Sequence, residues 1–414
     1  MQPVFSLAKP VEDIARTSMY LSPHVSRPIA CYKLYDIIYA MKKASIDNPF
    51  LLAGYESPEY FCDRERELGE MLEAVGNGRN MTLLSPRRMG KTGLIHHLFH
   101  TLRREGKWTP IYVDIFTARN LADFARRLAV AVIGSMDSKL DKALSAATGF
   151  FRSFRPTVSI DPLTGAPSYS FTLEPSRVEA TLKECFDYLG ARGRRSVVAI
   201  DEFQQVAEFP EKGTEALLRS YVQFLPQTRF IFAGSKRHMM AEMFSAPNRP
   251  FFNSTQTMPL GPIDSGKYLA FARRHLKKAG VALEADVFGR VFDAFDGRTW
   301  NVQAVLNRFY ARRSARMEDF EEALDWLVEN GSYYYGTLIE SLPDGAVRLL
   351  RAIAAEGRVS EPTAGGFMAR HALRASASVR LSLKKLIGLG LVCRDAGGYA
   401  IEDRMFSLWL ARQG

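Results

Sequence analysis

The chain has 414 residues, of which 47% are hydrophobic and 24% are charged, and its formal net charge is +10. Two or three domains are expected at this length, and the composition excludes a disordered or fibrous protein. No apolar run is long enough to cross a membrane and no signal-peptide pattern opens the chain, which predicts a cytoplasmic protein. The basic balance favours a polyanionic partner.

The cysteines are few and scattered. Cys31, Cys62, Cys185 and Cys393 form no Cys-x-x-Cys pair, which argues against a zinc site or a disulfide framework. Residues 1–47 carry one helix-like run and lack the pattern of a domain. We interpret them as an N-terminal extension, in which Met41 could be the true translation start.

Helix and strand patterns alternate over residues 48–262. An amphipathic helix is predicted after Tyr60, followed by the strand "MTLLS", a helix after Gly90, and the strands "PIYVDIF", "SVVAIDEF" and "RFIFAG" with helices between them. This order predicts an α/β fold with a parallel, doubly wound sheet. Alternation on both sides of residues 161–165 predicts a hairpin inserted between core elements.

Strand patterns stop after Pro262. Four helical patterns, ending with "MEDFEEALDWLVEN", predict a helical domain over residues 263–336. Over residues 337–414, three helical patterns precede two short strands, "LVCRD" and "GYAIED". Three helices followed by a hairpin are typical of a winged helix-turn-helix.

The stretch "SPRRMGKT" follows a predicted strand and opens a predicted helix, which is the context of a phosphate-binding loop. The first glycine of the usual pattern is replaced by Ser85, at a strand-to-loop turn where a small residue can serve. Lys91 would reach the β- and γ-phosphates and Thr92 would bind Mg²⁺. The predicted phosphate-binding residues are Ser85, Pro86, Arg87, Arg88, Met89, Gly90, Lys91 and Thr92.

A second motif supports the first. The apolar strand "SVVAID" ends in Asp201 and Glu202, where a neighbouring strand should deliver one carboxylate to Mg²⁺ and another to orient water. The alternative is a buried strand that ends in solvated acids. The combination of loop and acids favours a nucleotide site.

Together, "NPFLLAGYESPEYFCDREREL", "SPRRMGKT", "AIDEFQQV", "FIFAGSKRHMM" and "GRTWNVQAVLNRFY" resemble AAA+ ATPases, most closely the archaeal-type ATPases allied to STAND switches. The resemblance runs from about residue 48 to the C-terminus. It implies a P-loop NTPase fold with a helical lid, ATP and Mg²⁺ as ligands, Asp201 on the metal and Glu202 as the water-activating base. It also implies that Phe61 and Arg64 line the adenine.

The chain departs from the family pattern in three places. Candidate sensor residues after the fourth strand are Ser235, Lys236 and Arg237, of which we favour Ser235 and Arg237. The lid carries Gly-Arg-Thr-Trp where relatives have Gly-x-Pro, and we interpret Trp300 as packing in the lid rather than stacking on adenine. The candidate arginine fingers are Arg229 and Arg249, and ring assembly is left open.

The winged-helix segment from Glu340 carries eleven Lys or Arg against seven Asp or Glu. On the helix that contains "SASVRLSLKKL", the residues Val379, Leu383, Leu386 and Ile387 form an inward face, which leaves the basic residues outward on a helix suited to the DNA major groove. The predicted DNA-binding residues are Ser376, Ser378, Arg380, Lys384 and Lys385. The alternative is a winged helix that docks on this chain or on a protein partner.

Two functional hypotheses follow. The first is an Mg²⁺-dependent ATPase whose nucleotide state switches a winged helix that contacts double-stranded DNA. The second is a slow nucleotide-gated switch whose winged helix binds a protein partner or a second copy. A transcription regulator with a decayed nucleotide site fits poorly with Lys91, Thr92, Asp201 and Glu202 all in place. His96 and His100 on one helix face are interpreted as solvated residues, not metal ligands.

Overall fold

A computed structural model describes residues 47–136, 154–160, 167–173, 177–191, 193, 195–395 and 397–413. The chain divides into two compact units, Met1–Asp47 and Asn48–Gly414. The predicted extension and Met41 lie outside the described residues, as does the turn at residues 161–165. Over the part of the chain that is described, no helix has both the length and the apolar character needed to cross a bilayer.

The second unit is built around a five-stranded parallel sheet in the order β2-β5-β6-β1-β7. Its strands are β1 (Met81–Leu84), β2 (Thr109–Asp114), β5 (Ser196–Asp201), β6 (Thr228–Gly234) and β7 (Gln256–Pro259). The predicted hairpin is present as the antiparallel strands β3 (Phe154–Ile160) and β4 (Pro167–Leu173). Because the sheet is parallel, the carboxyl ends of β1, β5 and β6 meet at one edge.

Helices cover both faces of the sheet, as the alternating pattern predicts. They are α1 (Glu65–Gly76), α2 (Lys91–Glu105), α3 (Leu121–Met136), α4 (Val178–Ala191), α5 (Thr214–Val222) and α6 (Arg237–Ser245). Strand β5 sends Val197 and Ala199 into the core shared with α1 and α2. Its alternate residues Val198 and Ile200 enter the core shared with α3 and α4. This two-residue period is what a strand buried on both faces requires.

Two further groups of helices follow the sheet. The lid consists of α7 (Ser265–Lys278), α8 (Ala285–Ala294), α9 (Thr299–Arg312) and α10 (Met317–Glu340). The winged helix consists of α11 (Asp344–Glu356), α12 (Gly365–Arg370), α13 (Ser376–Gly388), β8 (Val392–Asp395), β9 (Gly398–Ile401) and α14 (Arg404–Arg412).

The lid and the winged helix share one hydrophobic core. The ring of Tyr335 on α10 lies 5.1 Å from that of Phe406 and 5.7 Å from that of Trp409, both on α14. The indole N–H of Trp409 donates to the Ser332 hydroxyl at 3.0 Å. The two groups of helices are therefore packed as continuously as one domain.

Four elements differ from the sequence prediction: one helix is longer than predicted, and three elements were not predicted. Helix α10 continues through Gly331 and Gly336, so the predicted boundary at residues 336/337 falls inside it. Helix α14 follows the hairpin, helix α6 follows β6, and the four-residue β7 closes one edge of the sheet. The packing of Tyr335 against α14 explains the long helix, because tertiary contacts outweigh the low helix propensity of glycine.

Candidate functional site

The loop at residues 85–90 joins the carboxyl end of β1 to the start of α2. Ser85 is fully buried, and its φ is not positive, so its backbone does not require the missing glycine. Gly90 does have a left-handed φ of +86°, as does Arg88 at +68°. A side chain at Gly90 would strain this conformation, and the position directly precedes the amino terminus of α2, where anions are stabilised.

The lysine of the loop reaches both acids at the end of β5. The Lys91 ammonium is bonded to Asp201 Oδ1 and donates to Glu202 Oε1 at 2.9 Å. The Thr92 hydroxyl donates to Asp201 Oδ2 at 2.7 Å. The four residues that the two sequence motifs single out therefore lie in one cluster, and the buried ammonium offsets half of the charge of the two carboxylates.

Glu202 is held by three donors. Besides Lys91, the Ser235 hydroxyl donates to its Oε2 at 2.7 Å and the Gln204 amide donates to the same oxygen at 2.6 Å. Burial by itself would raise the pKa of Glu202, but the Lys91 charge and these hydrogen bonds together lower it below the ordinary value. The carboxylate is therefore ionised at neutral pH.

Tyr112 is a member of the cluster that the sequence did not reveal. It lies on β2, the neighbour of β5, and its hydroxyl donates to Asp201 Oδ2 at 2.9 Å. Burial, followed by the Asp201 charge, raises the pKa of Tyr112, so the hydroxyl stays a donor. A tyrosine on a predicted strand gives no sign that it will contact Asp201. Gln204 was not singled out either, although its position two residues after Glu202 offered a signal.

A cavity of about 500 Å³ extends from the loop towards residues 51–57. Phe61 lines it and stacks on His97, with ring centroids 4.4 Å apart. The Tyr55 hydroxyl bonds His97 Nδ1 at 2.8 Å. The end of the cavity away from the acids is thus aromatic and largely apolar, which suits the face of a nucleotide base.

Arg64 is 3% exposed and also lines the cavity. Its guanidinium donates to the carbonyls of Met89 at 3.2 Å and Gly261 at 2.7 Å, and to Glu67 at 3.2 Å. These contacts tie the phosphate loop to the segment that leads into the lid. Arg64 therefore supports the phosphate loop, whereas the resemblance implied only a contact with adenine.

The start of α9 holds the other side of the loop. The Arg298 guanidinium donates to the Arg87 carbonyl at 3.1 Å, the Trp300 amide to the Arg88 carbonyl at 3.0 Å, and the Thr299 hydroxyl to the Met89 carbonyl at 3.2 Å. Three consecutive loop carbonyls are therefore satisfied by the lid. These bonds attach the phosphate loop to the lid.

Trp300 is the second residue of α9 and lines the cavity. Its indole N–H donates to the Leu52 carbonyl at 2.9 Å, and the Arg88 guanidinium lies 4.7 Å from its ring centroid. The ring thus joins the segment before the sheet to the loop, and its packing within the lid stays a prediction.

Two acids of the winged helix contact the phosphate loop. Glu402 accepts from the Arg87 backbone N–H at 3.3 Å and lies 3.6 Å from the Arg298 guanidinium. Asp403 forms an ion pair with Arg88 at 3.1 Å and also caps α14 by accepting from Met405 N. Arg87 and Arg88 line both the large cavity and a second cleft of about 140 Å³ that contains these acids.

The three sensor candidates are separated. Ser235 alone contacts Glu202, whereas Lys236 pairs with Glu208. Arg237 is half-buried and lies near Cys393 of the winged helix, where its charge lowers the pKa of the thiol against the larger, raising effect of burial. Their roles in catalysis remain predictions.

Neither candidate arginine finger lies at the acid cluster of its own chain. Arg249 is bonded to Glu215 and lies 3.4 Å from Glu242. Arg229 lies near the start of β6, roughly 17 Å of strand from Gly234 at its far end.

On α13, Val379, Leu383 and Leu386 are buried, while Arg380, Lys384 and Lys385 are exposed. Ser378 is also exposed, and the half-buried Ser376 accepts from Arg380 at 3.3 Å. The predicted inward and outward faces of this helix are present as expected. The five predicted DNA-contacting residues lie on one helix, and its three cations form no ion pair with any described residue.

Comparison with protein families gives two matches. An ATPase domain found predominantly in Archaea matches residues 61–305, which contain the loop, the acids and the start of the lid. The chain belongs to this ATPase family. It is a P-loop ATPase that binds ATP. A probable winged helix domain matches residues 333–412.

Solved structures support the same fold. A Walker-type ATPase of Pyrococcus abyssi superposes with a TM-score of 0.63 at 18% identity, covering 87% of this chain and 99% of the other. The ORC2 protein of Aeropyrum pernix, in ADPNP and ADP complexes, gives 0.54 at 17% identity, covering 88% and 98%. At these identities the likeness concerns the fold alone. No curated protein matches the sequence.

Proposed function

We propose that this ATPase uses ATP binding and hydrolysis to change how its winged helix is held, and that the winged helix binds duplex DNA through α13. The observation that carries the proposal is the position of Arg87 and Arg88. Both residues border the nucleotide cavity on one side and the acids of the winged helix on the other. A charged ligand in the nucleotide cavity therefore changes the electrostatic potential at Glu402 and Asp403, on the other side of these two arginines.

The residues of the acid cluster fit a magnesium-dependent hydrolysis. Thr92 and Asp201 offer adjacent hard oxygen atoms, 2.7 Å apart, of the kind that Mg²⁺ prefers. When bound, Mg²⁺ neutralises charge on phosphate oxygens. Lys91 would exchange its two carboxylate partners for phosphate oxygens, and Glu202 would then accept a proton from the attacking water. Ser235 and Gln204 orient that carboxylate.

The switch follows from charge. ATP brings several negative charges to a loop whose N–H group and guanidinium already contact Glu402 and Asp403. Like charges repel in this partly buried cleft, so ATP weakens the hold on the winged helix. Because Arg298 to Trp300 also grip the loop, the lid moves with it.

ATP turnover tests the catalytic part of the proposal. Glu202→Gln should abolish hydrolysis while ATP binding, followed by calorimetry, is retained. Glu105→Gln is the matched control, because Glu105 is exposed at the far end of α2. Equal turnover in wild type and Glu202→Gln would reject Glu202 as the base.

Duplex binding tests the DNA part. Arg380→Glu with Lys384→Glu should weaken binding to a labelled duplex in a salt-dependent manner, because phosphate contacts release counterions. The control is Lys212→Glu with Arg290→Glu, which changes the net charge equally at two exposed positions without ion pairs among the described residues. Equal losses in both variants would remove α13 from the proposal.

One observation favours a protein partner as the second candidate. Leu381, among the cations of α13, is 72% exposed, and Leu389 just after the helix is 52% exposed. Apolar side chains of this size on an outward face are typical of protein contacts. Leu381→Ser should then reduce partner capture while duplex affinity is unchanged; a loss of duplex affinity instead would assign Leu381 to DNA.

A further inference from the structure

A row of cations lies at the edge of the sheet opposite the nucleotide cavity. Lys107 precedes β2, Arg195 directly precedes β5, and Arg229 is the second residue of β6. These strands are neighbours in the order β2-β5-β6, and the Thr109 amide donates to the Arg195 carbonyl at 2.9 Å. Since neighbouring strands are about 4.8 Å apart, the row spans roughly 10 Å. We call these three residues the basic row.

Trp108 lies at the centre of the basic row. The Arg195 guanidinium is 5.6 Å from its ring centroid and that of Arg229 is 5.9 Å away. An open cleft of about 490 Å³ is lined by Lys107, Trp108 and Arg195 together with Gly106, Thr109 and Gly193. Lys107 and Arg195 are exposed. The row is thus accessible and has room for a ligand.

Among the described residues, no carboxylate balances the charge of the row. Over the residues that the structure describes, no carboxylate forms an ion pair with Lys107, Arg195 or Arg229. Arg229 instead donates to the carbonyls of Pro226 at 2.8 Å and Thr228 at 3.1 Å. Its pKa is lowered by burial and by the neighbouring Arg195.

The contrast with the next strand is informative. Arg79, which precedes β1, is neutralised by Glu73 at 2.6 Å and bonded to Gln256 at 2.9 Å. The cation that precedes β1 therefore differs from those of the basic row in having a carboxylate partner. The sequence adds Arg103 and Arg104 before Lys107, and Arg192 and Arg194 before Arg195.

We propose that the basic row binds the phosphate backbone of a nucleic acid, as a second contact surface distinct from α13. Guanidinium groups that lack carboxylate partners suit phosphate diesters, which accept two parallel hydrogen bonds. A row of roughly 10 Å corresponds to about three base-pair steps along the axis of a duplex, at about 3.4 Å each. A backbone reader of this kind gives affinity without sequence preference. The surface goes beyond the proposed function, since it needs neither ATP nor the winged helix.

The test uses the full chain with two matched pairs of substitutions. Lys107→Gln with Arg195→Gln removes two exposed charges from the row, and Lys212→Gln with Arg290→Gln removes two charges elsewhere. Binding to a short labelled single strand and to a duplex is measured over a range of salt. Two lost phosphate contacts should lower the log–log salt slope by about 1.8 for a duplex or about 1.4 for a single strand. The control pair should leave the slope unchanged.

Several outcomes would overturn the proposal. The first is an equal salt slope in wild type and the row variant, and the second is an equal loss of affinity in the row pair and the control pair. With phosphatidylserine vesicles as a third probe, the last is a loss of vesicle binding by the row variant without any loss of nucleic-acid binding. ATPase activity without DNA reports that the row variant is folded. Repeating the measurement in the Arg380→Glu, Lys384→Glu background separates the two surfaces. A row effect that persists there stands even if the DNA role of α13 fails.

Discussion

The contact between the winged helix and the phosphate loop offers the sharpest perturbation. Glu402→Gln with Asp403→Asn removes both negative charges and keeps the side-chain shapes. Asparagine is as good a helix cap as aspartate, so the bond from Met405 N to position 403 is preserved. We expect the double variant to bind ATP more tightly than wild type, because the acids no longer compete with phosphate for the loop.

The magnitude follows from the two contacts. The Arg88–Asp403 pair has side chains 35% and 31% exposed and is worth about 0.5–1 kcal/mol. The Glu402 side chain is 12% exposed, and replacing this charged acceptor by a neutral one weakens the contact between the winged helix and the phosphate loop by about 1 kcal/mol. Together they give about 2 kcal/mol, or roughly a 30-fold tighter apparent Kd for ATP. This is the upper bound, reached if ATP breaks both contacts.

Calorimetry with a non-hydrolysable ATP analogue measures the effect. The control is Glu361→Gln, an exposed acid of the same domain. By reciprocity, freeing the winged helix should raise the nucleotide-free affinity for its partner by the same factor. An unchanged Kd for the analogue in the double variant would show that nucleotide and acids do not compete, and the switch would be refuted while the ATPase assignment stood.

Three further outcomes are expected. Tyr112→Phe removes one hydrogen-bond donor to Asp201 and should raise the Mg²⁺ concentration for half-maximal turnover about tenfold. ATP binding in EDTA should be unchanged. An unaltered Mg²⁺ response would show that Tyr112 does not position Asp201 for the metal. Because the pKa of Glu202 is lowered in the folded protein, its ionised carboxylate stabilises the fold at pH values above the ordinary pKa of 4.5. This stabilisation is lost as the pH falls through the folded pKa. Glu202→Gln should therefore lose less stability than wild type on acidification. Phe406→Ala should cost about 3–5 kcal/mol and unfold lid and winged helix in one calorimetric transition; two separate transitions would contradict the shared core.

Local patterns were sufficient to predict much of this molecule. The strands around the loop and the acids are apolar runs with clear boundaries, and the helices of the lid and winged helix have regular periodicity. The missing glycine at Ser85 is explained by its ordinary φ, which the sequence could only suggest. The inward and outward faces of α13 were equally readable.

Contacts between distant parts of the chain could not be predicted in this way. Arg87 and Glu402 are 315 residues apart, and no periodicity relates them. Tyr112 reaches Asp201 only because β2 and β5 are neighbours in the sheet. Helix α10 continues through two glycines because Tyr335 packs on α14, a helix that short-range patterns had not revealed.

The single core shared by lid and winged helix limits how this protein can change over evolutionary time. Cutting the chain after α10 would leave the apolar side of Tyr335 and its neighbours in water, so the carboxyl-terminal part is not an interchangeable cassette. Under the proposed function, a new binding preference would have to arise by substitutions on the outer side of α13, one residue after another.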